Sequence, residues 1–172
     1  MKRFLILTVL FVAALGVGAQ DTLVAFISSD DFVTNILNKP SGATVMTLSS
    51  EDEDVTYMFE LTTPEDGWWK VIGIWVAEDD EVTPTLAGSD TGEYWIHYSE
   101  LGLGTRNYGG QSLTLKDAPA DDANVVFTTT DELIVMPMDI QGDWVKVKVD
   151  GWDIEGWIEA EWLCSNPLTN CC

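Results

Sequence analysis

The sequence is poor in the residues that carry most enzyme chemistry. It contains a single histidine, His97, and three cysteines that all lie within the last nine residues. Most of the chain therefore cannot supply a Cys-His nucleophile pair, and no elbow-type motif around a serine suggests a Ser-His-Asp site. One histidine also excludes a His-rich zinc site. We predict no catalytic residues, no bound metal and no cofactor.

Basic residues are scarce as well. The chain contains eight Lys and Arg residues and 29 Asp and Glu residues, which gives a formal net charge of −21. Nucleic acid and anionic lipid both require a basic footprint, so neither is expected as a partner. The acidic runs at 51–54 and 78–81 lack the Asp-x-Asp-x-Asp-Gly spacing of a calcium loop and are interpreted as solvated loops. An acidic structural surface protein with weak calcium binding remains an alternative.

Long apolar runs are absent except at the N-terminus. Lys2-Arg3 precedes the apolar run from Phe4 to Leu15, and the small residues Val17-Gly18-Ala19 follow it. This is the pattern of a secretory signal peptide, which we predict over residues 1–19. No cysteine lies directly after the apolar run, where a lipoprotein anchor would be attached, so such an anchor is not expected. We predict a secreted or periplasmic protein that does not insert into the membrane once the signal is removed.

Helical periodicity is also missing, whereas the alternation typical of strands is clear in the stretch from Gly142 to Leu163. Apolar and polar or aromatic positions alternate there, and Asp150-Gly151 marks a turn before a second extended segment. This pattern predicts an all-β fold. The alternating residues are Val145, Val147 and Val149 against Trp144, Lys146 and Lys148.

The same landmarks occur twice along the chain in the same order, which predicts an internal repeat. The first copy carries an acidic insertion at residues 78–92. We therefore predict two domains, residues 20–104 and 105–172, joined through the glycine-rich segment 101–110. The matched landmarks are Ile36–Pro40 with Leu115–Pro119, Trp68–Val71 with Trp144–Val147, Trp95-Ile96 with Trp157-Ile158, and Leu101 with Leu163.

These landmarks resemble the bacterial SH3 (SH3-like) domain family, most clearly in Leu115–Pro119, Gly142–Val147 and Gly156–Leu163. The first copy departs from the pattern, since Glu93-Tyr94 stands where the family has glycine before Trp-Ile. The resemblance implies two tandem small β-barrels of five to six strands. It also implies an extracytoplasmic module that binds cell-wall peptides, glycans or proteins.

Tryptophans and lysines are the candidate ligand-binding residues. Trp144 shares its strand face with Lys146, and Trp68 lies at the matching position of the first copy. One interpretation is an exposed aromatic platform beside a cation, suited to sugars or peptides. The alternative is that each ring is half-buried under a loop or the other barrel while the lysine stems extend over it. Trp152 lies in a turn and is expected to be the most exposed tryptophan.

The cysteines predict a disulfide that closes the C-terminal tail. The protein is expected to be exported, so oxidation is available, and Asn166-Pro167 favours a turn between the sulfurs. We predict the pair Cys164–Cys171, with Cys164–Cys172 as the alternative. In the chain-entropy model such a short loop stabilises by about 2–3 kcal/mol. The third thiol is left over.

Together these patterns predict a non-catalytic binding or scaffolding protein. Its expected partner is a cell-envelope peptide or glycan, or a partner protein, and the patterns do not specify an oligomeric state. A hydrolase that acts on glycans or the cell wall with paired carboxylates is the enzymatic alternative, because acidic residues are abundant.

Overall fold

The computed structural model describes residues 22–28, 33–49, 56–76 and 92–167. The predicted signal peptide, both acidic runs, nearly all of the 78–92 insertion, Cys171 and Cys172 lie outside these ranges. The described chain consists of antiparallel strands with two short 3-10 turns, so the predicted all-β class is confirmed. Within the described ranges, no helix is long and apolar enough to cross a membrane.

Thirteen strands and the two 3-10 turns follow one another along the described chain. In chain order they are β1 (Thr22–Ile27), β2 (Val33–Leu37), β3 (Thr44–Ser49), β4 (Tyr57–Glu65), β5 (Trp68–Val76), β6 (Trp95–His97), the turn η1 (Tyr98–Glu100), β7 (Leu101–Thr105), β8 (Leu113–Lys116), β9 (Val125–Thr129), β10 (Ile134–Gln141), β11 (Trp144–Val149), β12 (Glu155–Glu159), the turn η2 (Ala160–Trp162) and β13 (Leu163–Cys164).

The strands form one connected sheet in which β7 is the central link. The order is β3-β2-β6-β5-β4-β1-β7-β10-β11-β12-β8-β9, and β13 also pairs with β7. We call β1 to β7 the first half and β7 to β13 the second half. The predicted boundary between residues 104 and 105 falls inside this strand, which is hydrogen-bonded to β1 on one side and to β10 and β13 in the second half.

Strand pairing follows the same register in the two halves. Trp68 lies opposite His97 and Lys70 opposite Trp95. In the second half, Trp144 lies opposite Glu159 and Lys146 opposite Trp157. Each of these hairpins leads through a 3-10 turn into the last strand of its half. Trp68 and Trp144 therefore occupy equivalent positions, as do Lys70 and Lys146.

The core is continuous between the halves. The alternation expected in β11 is present, with Val145, Val147 and Val149 buried and Trp144, Lys146 and Lys148 half-buried. Buried side chains of both halves form one cluster. The fully buried Trp69 of β5 donates its indole N–H to the carbonyl oxygen of Pro137 in β10 at 2.8 Å, which joins the halves by a buried hydrogen bond.

Part of the segment expected to join two domains is a strand. Gly102 and Gly104 lie within β7, between the buried side chains of Leu101, Leu103 and Thr105. A Cβ at Gly102 would lie 2.6 Å from the ring of Phe26 in β1, so glycine is needed there for close packing. Gly102 therefore reflects close packing between neighbouring strands.

Candidate binding cleft

The outer face of the second half carries aromatic and charged side chains on three neighbouring strands. On β11, Trp144 and Lys146 point away from the buried valines, because successive side chains of a strand alternate between its faces. β12 places Glu159 opposite Trp144, and β8 contributes Lys116 beside Trp157. The sheet thus gathers two basic residues, a carboxylate and two indole rings on one surface.

Lys116 covers one side of the Trp144 ring. Its ammonium nitrogen lies 4.9 Å from the ring centroid, within the range of a cation–π interaction. The same nitrogen donates hydrogen bonds to the carbonyl oxygens of Ala120, at 3.3 Å, and Asp121, at 2.8 Å, in the loop between β8 and β9. The loop therefore fixes the ammonium group, and the ring is held between β8 and β11.

An open cleft of about 110 Å³ lies beside this ring. Since a water molecule occupies about 30 Å³ in the liquid, the cleft has room for roughly four waters or one small chemical group. Its lining combines indole surfaces, an ammonium, a carboxylate and hydroxyl groups. The lining residues are Ser112, Leu113, Thr114, Lys116, Trp144, Ile158, Glu159 and Trp162.

This lining is suited to binding an uncharged polar ligand. The indole rings of Trp144 and Trp162 offer apolar surface against which a sugar ring or a peptide group can pack. Lys116 supplies a hydrogen-bond donor and Glu159 an acceptor, which together match the complementary groups of an amide or a hydroxyl. The lining contains no histidine or cysteine, and the cleft is described here as a site of recognition.

The equivalent tryptophan of the first half, Trp68, packs against other aromatic neighbours than Trp144 does. Trp68 meets His97 edge-on, with ring centroids 5.0 Å apart, and His97 in turn lies 4.6 Å from the ring of Tyr98. His97 Nδ1 lies 2.8 Å from the hydroxyl of Ser99 and caps the 3-10 turn. His97 faces away from the buried Ile96 and is only partly buried. Trp68 is thus half-buried, with His97 between it and Tyr98.

Trp152 is exposed, as its place in a turn predicted. More than half of its surface, 55%, is accessible, and its ring meets Phe127 edge-on at 5.8 Å. It lies in the turn between β11 and β12, whereas the cleft is lined by the start of β11 and the end of β12. Trp152 therefore does not share a site with Trp144.

Lys146 does not line the cleft. Its ammonium group forms an ion pair with Glu155 at 3.1 Å. The pair has an equivalent in the first half, where Lys70 contacts Glu93 at 2.8 Å. That contact lowers the pKa of Glu93, first through the hydrogen bond from Lys70 and second through the charge of Lys70. Of the four predicted ligand-binding residues, Trp68, Trp144, Trp152 and Lys146, only Trp144 lies at the cleft.

Two further sequence predictions concern metals and cysteines. Among the residues that the structure describes, no three His, Cys, Asp or Glu side chains are grouped so that they could hold a metal ion. Both acidic runs lie outside those residues, so the calcium alternative is not tested. Cys164 is buried, with its sulfur 3.2 Å from the carbonyl oxygen of Asn166. Cys171 lies outside the described residues, and its pairing stays a prediction.

Sequence reasoning missed three residues of the cleft, Lys116, Glu159 and Trp162. Glu159 directly precedes the turn η2 and Trp162 is its last residue, and both line the cleft. When the two copies are aligned by their landmarks, Lys116 of the second copy corresponds to Leu37 of the first. A charged residue therefore stands where the first half has an apolar one. That difference was the available signal.

Comparison with known proteins gives little further information. No family model matches the chain, and no curated protein matches it. Two solved structures from Trichomonas vaginalis, NlpC1 and NlpC2, share 14% and 13% sequence identity with it. Each alignment covers 85% of this chain, and the TM-score is 0.31 in both cases. The chain spans about half of their length, namely 46% and 49%, and similarity at this level supports no functional conclusion.

Proposed function

We propose that the chain is a non-catalytic, extracytoplasmic binding or scaffolding module that recognises a cell-envelope peptide or glycan, or a partner protein. The cleft beside Trp144 is the observation that carries this proposal. It brings two indole rings, an ammonium and a carboxylate around one open volume of about 110 Å³. Binding sites for sugars and peptides combine apolar ring surface with a few placed polar groups in this way.

The proposal includes two SH3-like units after a cleaved signal peptide. Its support is the repeated strand register, in which Trp68 and Trp144 begin equivalent hairpins and Leu101 and Leu163 begin the strands that follow equivalent 3-10 turns. In this arrangement β7 ends the first unit and begins the second. The signal peptide is supported by the sequence, through Lys2-Arg3, the apolar run from Phe4 to Leu15 and the small residues Val17-Gly18-Ala19.

The proposal also includes a disulfide that closes the tail. Its support is the buried position of Cys164 in the last described strand, followed by the turn that Asn166-Pro167 favours. Cys171 is the proposed partner and Cys172 the alternative. Peptide mapping of the non-reduced protein would identify the pair. A Cys164 recovered as a free thiol from protein purified under oxidising conditions would contradict this part of the proposal.

Binding to envelope material tests the proposed function directly. The mature chain would be sedimented with purified peptidoglycan and, separately, titrated with N-acetylglucosamine oligosaccharides while tryptophan fluorescence is followed. Trp144→Ala is expected to weaken binding about tenfold, because it removes the main apolar wall of the cleft. The fold should be retained, since Trp144 lies on the outer face.

The matched control is Trp68→Ala, at the equivalent position of the first half. Its ring packs edge-on against His97 and does not line the cleft, so this change should leave binding nearly unaltered. Equal losses in the two variants would show that the cleft is not the site. Unchanged binding by Trp144→Ala would contradict the proposal in the same way, provided that the wild type binds the same material.

A further inference from the structure

A second and larger cleft lies where the two halves meet. Its volume is about 230 Å³, and its walls come from the first half, from β7 and from the second half together. It is separate from the cleft beside Trp144, with which it shares no lining residue. The lining residues are Phe26, Gly104, Thr105, Tyr108, Glu132, Leu133, Ile134, Cys164, Asn166 and Pro167.

The missing side chain of Gly104 explains why this space exists. Gly104 lies directly opposite Ile134 of β10 and also opposite Cys164 of β13, so it is the middle residue of a row across three strands. Side chains of cross-strand neighbours project to the same face of a sheet. Glycine at the middle of this row therefore leaves a gap between its neighbours.

The other glycine of β7 does not leave such a gap. Gly102 lies on the same face as Gly104, two residues earlier, and the ring of the buried Phe26 already occupies the space above it. A Cβ at Gly104 would instead have its nearest neighbour at 3.8 Å, which is ordinary contact. The space above Gly104 is thus open, and the edge of Phe26 forms one of its walls.

The chemistry of the lining points to an apolar group that carries a positive charge. Phe26, Leu133 and Pro167 provide apolar walls, while Tyr108 and Ile134 are 41% and 40% exposed at the opening. Among the described residues that line the cleft, Glu132 is the charged one, and none is a lysine or arginine. The net charge of −21 further favours a cationic ligand.

The volume of the cleft leaves room for one side chain of a larger ligand. Sites for whole drug-sized molecules begin at about 300 Å³, which exceeds this volume. We infer that the junction cleft binds an extended peptide segment in which a branched or aromatic side chain enters above Gly104 and an adjacent basic side chain pairs with Glu132. This inference concerns a different site from the proposed function and does not depend on it.

Three short peptides used as probes separate the two parts of this recognition. Acetyl-Phe-Lys-amide would be titrated into the isotope-labelled mature chain and followed by NMR chemical shifts. Acetyl-Gly-Lys-amide removes the apolar group, and acetyl-Phe-Glu-amide reverses the charge. We expect the first peptide to bind about tenfold more tightly than the glycine probe and at least about twofold more tightly than the glutamate probe. Shifts should centre on Gly104, Tyr108 and Ile134.

Variants of the protein test the same geometry. Gly104→Leu fills the space and should weaken binding of acetyl-Phe-Lys-amide about tenfold or more. Tyr108→Ala changes only the exposed rim, so it keeps the test valid if the first variant fails to fold, and it should weaken binding several-fold. Trp144→Ala is the control and should leave the affinity for this peptide unchanged.

Several results would overturn the inference. These are the absence of shifts at millimolar peptide, equal affinity for the lysine and glutamate probes, and wild-type affinity in a folded Gly104→Leu or Tyr108→Ala variant. Shifts centred on Trp144 and Trp162 would place the peptide in the other cleft and would also refute it. None of these results bears on whether the Trp144 cleft binds peptidoglycan or oligosaccharides.

Discussion

The two halves of the chain have the same strand register and similar buried inner faces, but the side chains on their outer faces differ. Trp68 and Trp144 each lie opposite the last residue of the next strand, and each is followed two residues later by a lysine. The lysines even form equivalent ion pairs, Lys70 with Glu93 and Lys146 with Glu155. Backbone register and this surface pair therefore repeat, although the rings of the two tryptophans have different neighbours.

The outer faces differ because a few neighbouring residues were exchanged. Leu37 lies opposite Trp95 in the first half, and that indole is 5% exposed. In the second half Lys116 replaces the leucine, and the equivalent Trp157 is only half-buried. The last residue of the 3-10 turn is Glu100 in one half and Trp162 in the other. Glu100 accepts a hydrogen bond from Thr34, whereas Trp162 lines the cleft.

This comparison separates what maintains the fold from what forms a site. Burial of the inner faces requires a fixed alternation of apolar residues and is satisfied equally in both halves. The outer faces are free of that requirement, so their side chains can differ without loss of the core. We therefore expect changes on the inner faces to affect stability and changes on the outer faces to affect binding, with the effects described below.

The largest effect is expected at Trp69, the buried residue that joins the halves. Trp69→Val introduces the residue type found at the equivalent position, Val145, and should lower the free energy of unfolding by about 3 kcal/mol or more. The change leaves a cavity and removes the hydrogen bond to Pro137. The neighbouring Trp68→Val, on the outer face, should cost about 1 kcal/mol or less. Chemical denaturation with one cooperative transition would measure both.

Equal destabilisation by these two variants would contradict the assignment of inner and outer faces. Two separate transitions in the wild-type protein would contradict the continuous core, since two independently folding halves would unfold in separate steps.

A smaller effect is expected at Gly156, where the halves differ in sequence. A Cβ there would lie 2.7 Å from Cβ of Leu115, which is buried and cannot easily move. Gly156→Ala should therefore destabilise the protein by about 1–3 kcal/mol through overpacking. The equivalent residue of the first half is Tyr94, which precedes the shorter strand β6 and tolerates a side chain.

Gly109→Ala provides the control for this substitution. Its added Cβ would lie 3.0 Å from Gln111 Oε1, the end of an exposed side chain that accepts a hydrogen bond from Gly109 N–H, so the change should cost about 0.5–1 kcal/mol at most. Thermal unfolding of the two variants under identical conditions measures the difference. A neutral Gly156→Ala would show that β8 and β12 are packed less closely than described.

The all-β class was predictable because strand alternation and turn residues are local signals. The alternation of Trp144, Lys146 and Lys148 with three valines predicted a strand, and β11 spans Trp144–Val149. The exception is β7, where glycines suggested a joint between domains. Leu101 and Leu103 alternate with those glycines, which is a strand pattern. The high glycine content nevertheless led to the interpretation of this segment as a joint between domains.

The cleft was only partly predictable because cross-strand neighbours are not encoded by periodicity. Trp144 was identified from its own strand, but the position of Lys116 over its ring depends on how β8 pairs beyond β12. The position of Trp162 depends on the three-residue 3-10 turn after β12, in which strand alternation no longer applies. Trp152 was correctly expected to be exposed, yet exposure alone did not place it near the other candidates.

A moderate effect on binding is expected at Lys116, the residue that distinguishes the cleft from its counterpart. Lys116→Leu introduces the residue type of Leu37 and removes the cation from the Trp144 ring. Binding to peptidoglycan should weaken about two- to fivefold, as expected for one exposed cation–π contact. The control is Lys148→Leu, which changes the same residue type on the same face outside the cleft. Equal losses would indicate a general charge effect.

The smallest effect is expected at the ion pair that the halves share, and it should depend on pH. Lys70 lowers the pKa of Glu93 below its ordinary value, so the folded state holds this carboxylate ionised more strongly than the unfolded state does. The resulting stabilisation is present above the pKa of the unfolded chain and is lost as the pH falls through the pKa of the folded state. Glu93→Gln should therefore lower the melting temperature slightly at neutral pH.

The difference between wild type and Glu93→Gln should shrink as the solution is acidified through the carboxyl range, because both proteins then lack the charge. Glu93→Gln in a Lys70→Met background, which removes the charge that acts on Glu93, is the matched control and should show no such pH-dependent difference. NMR titration of the Glu93 carboxyl measures the pKa itself. A value at or above the ordinary one would show that Lys70 does not hold this carboxylate in solution, and the equivalence of the two ion pairs would then rest on strand register alone.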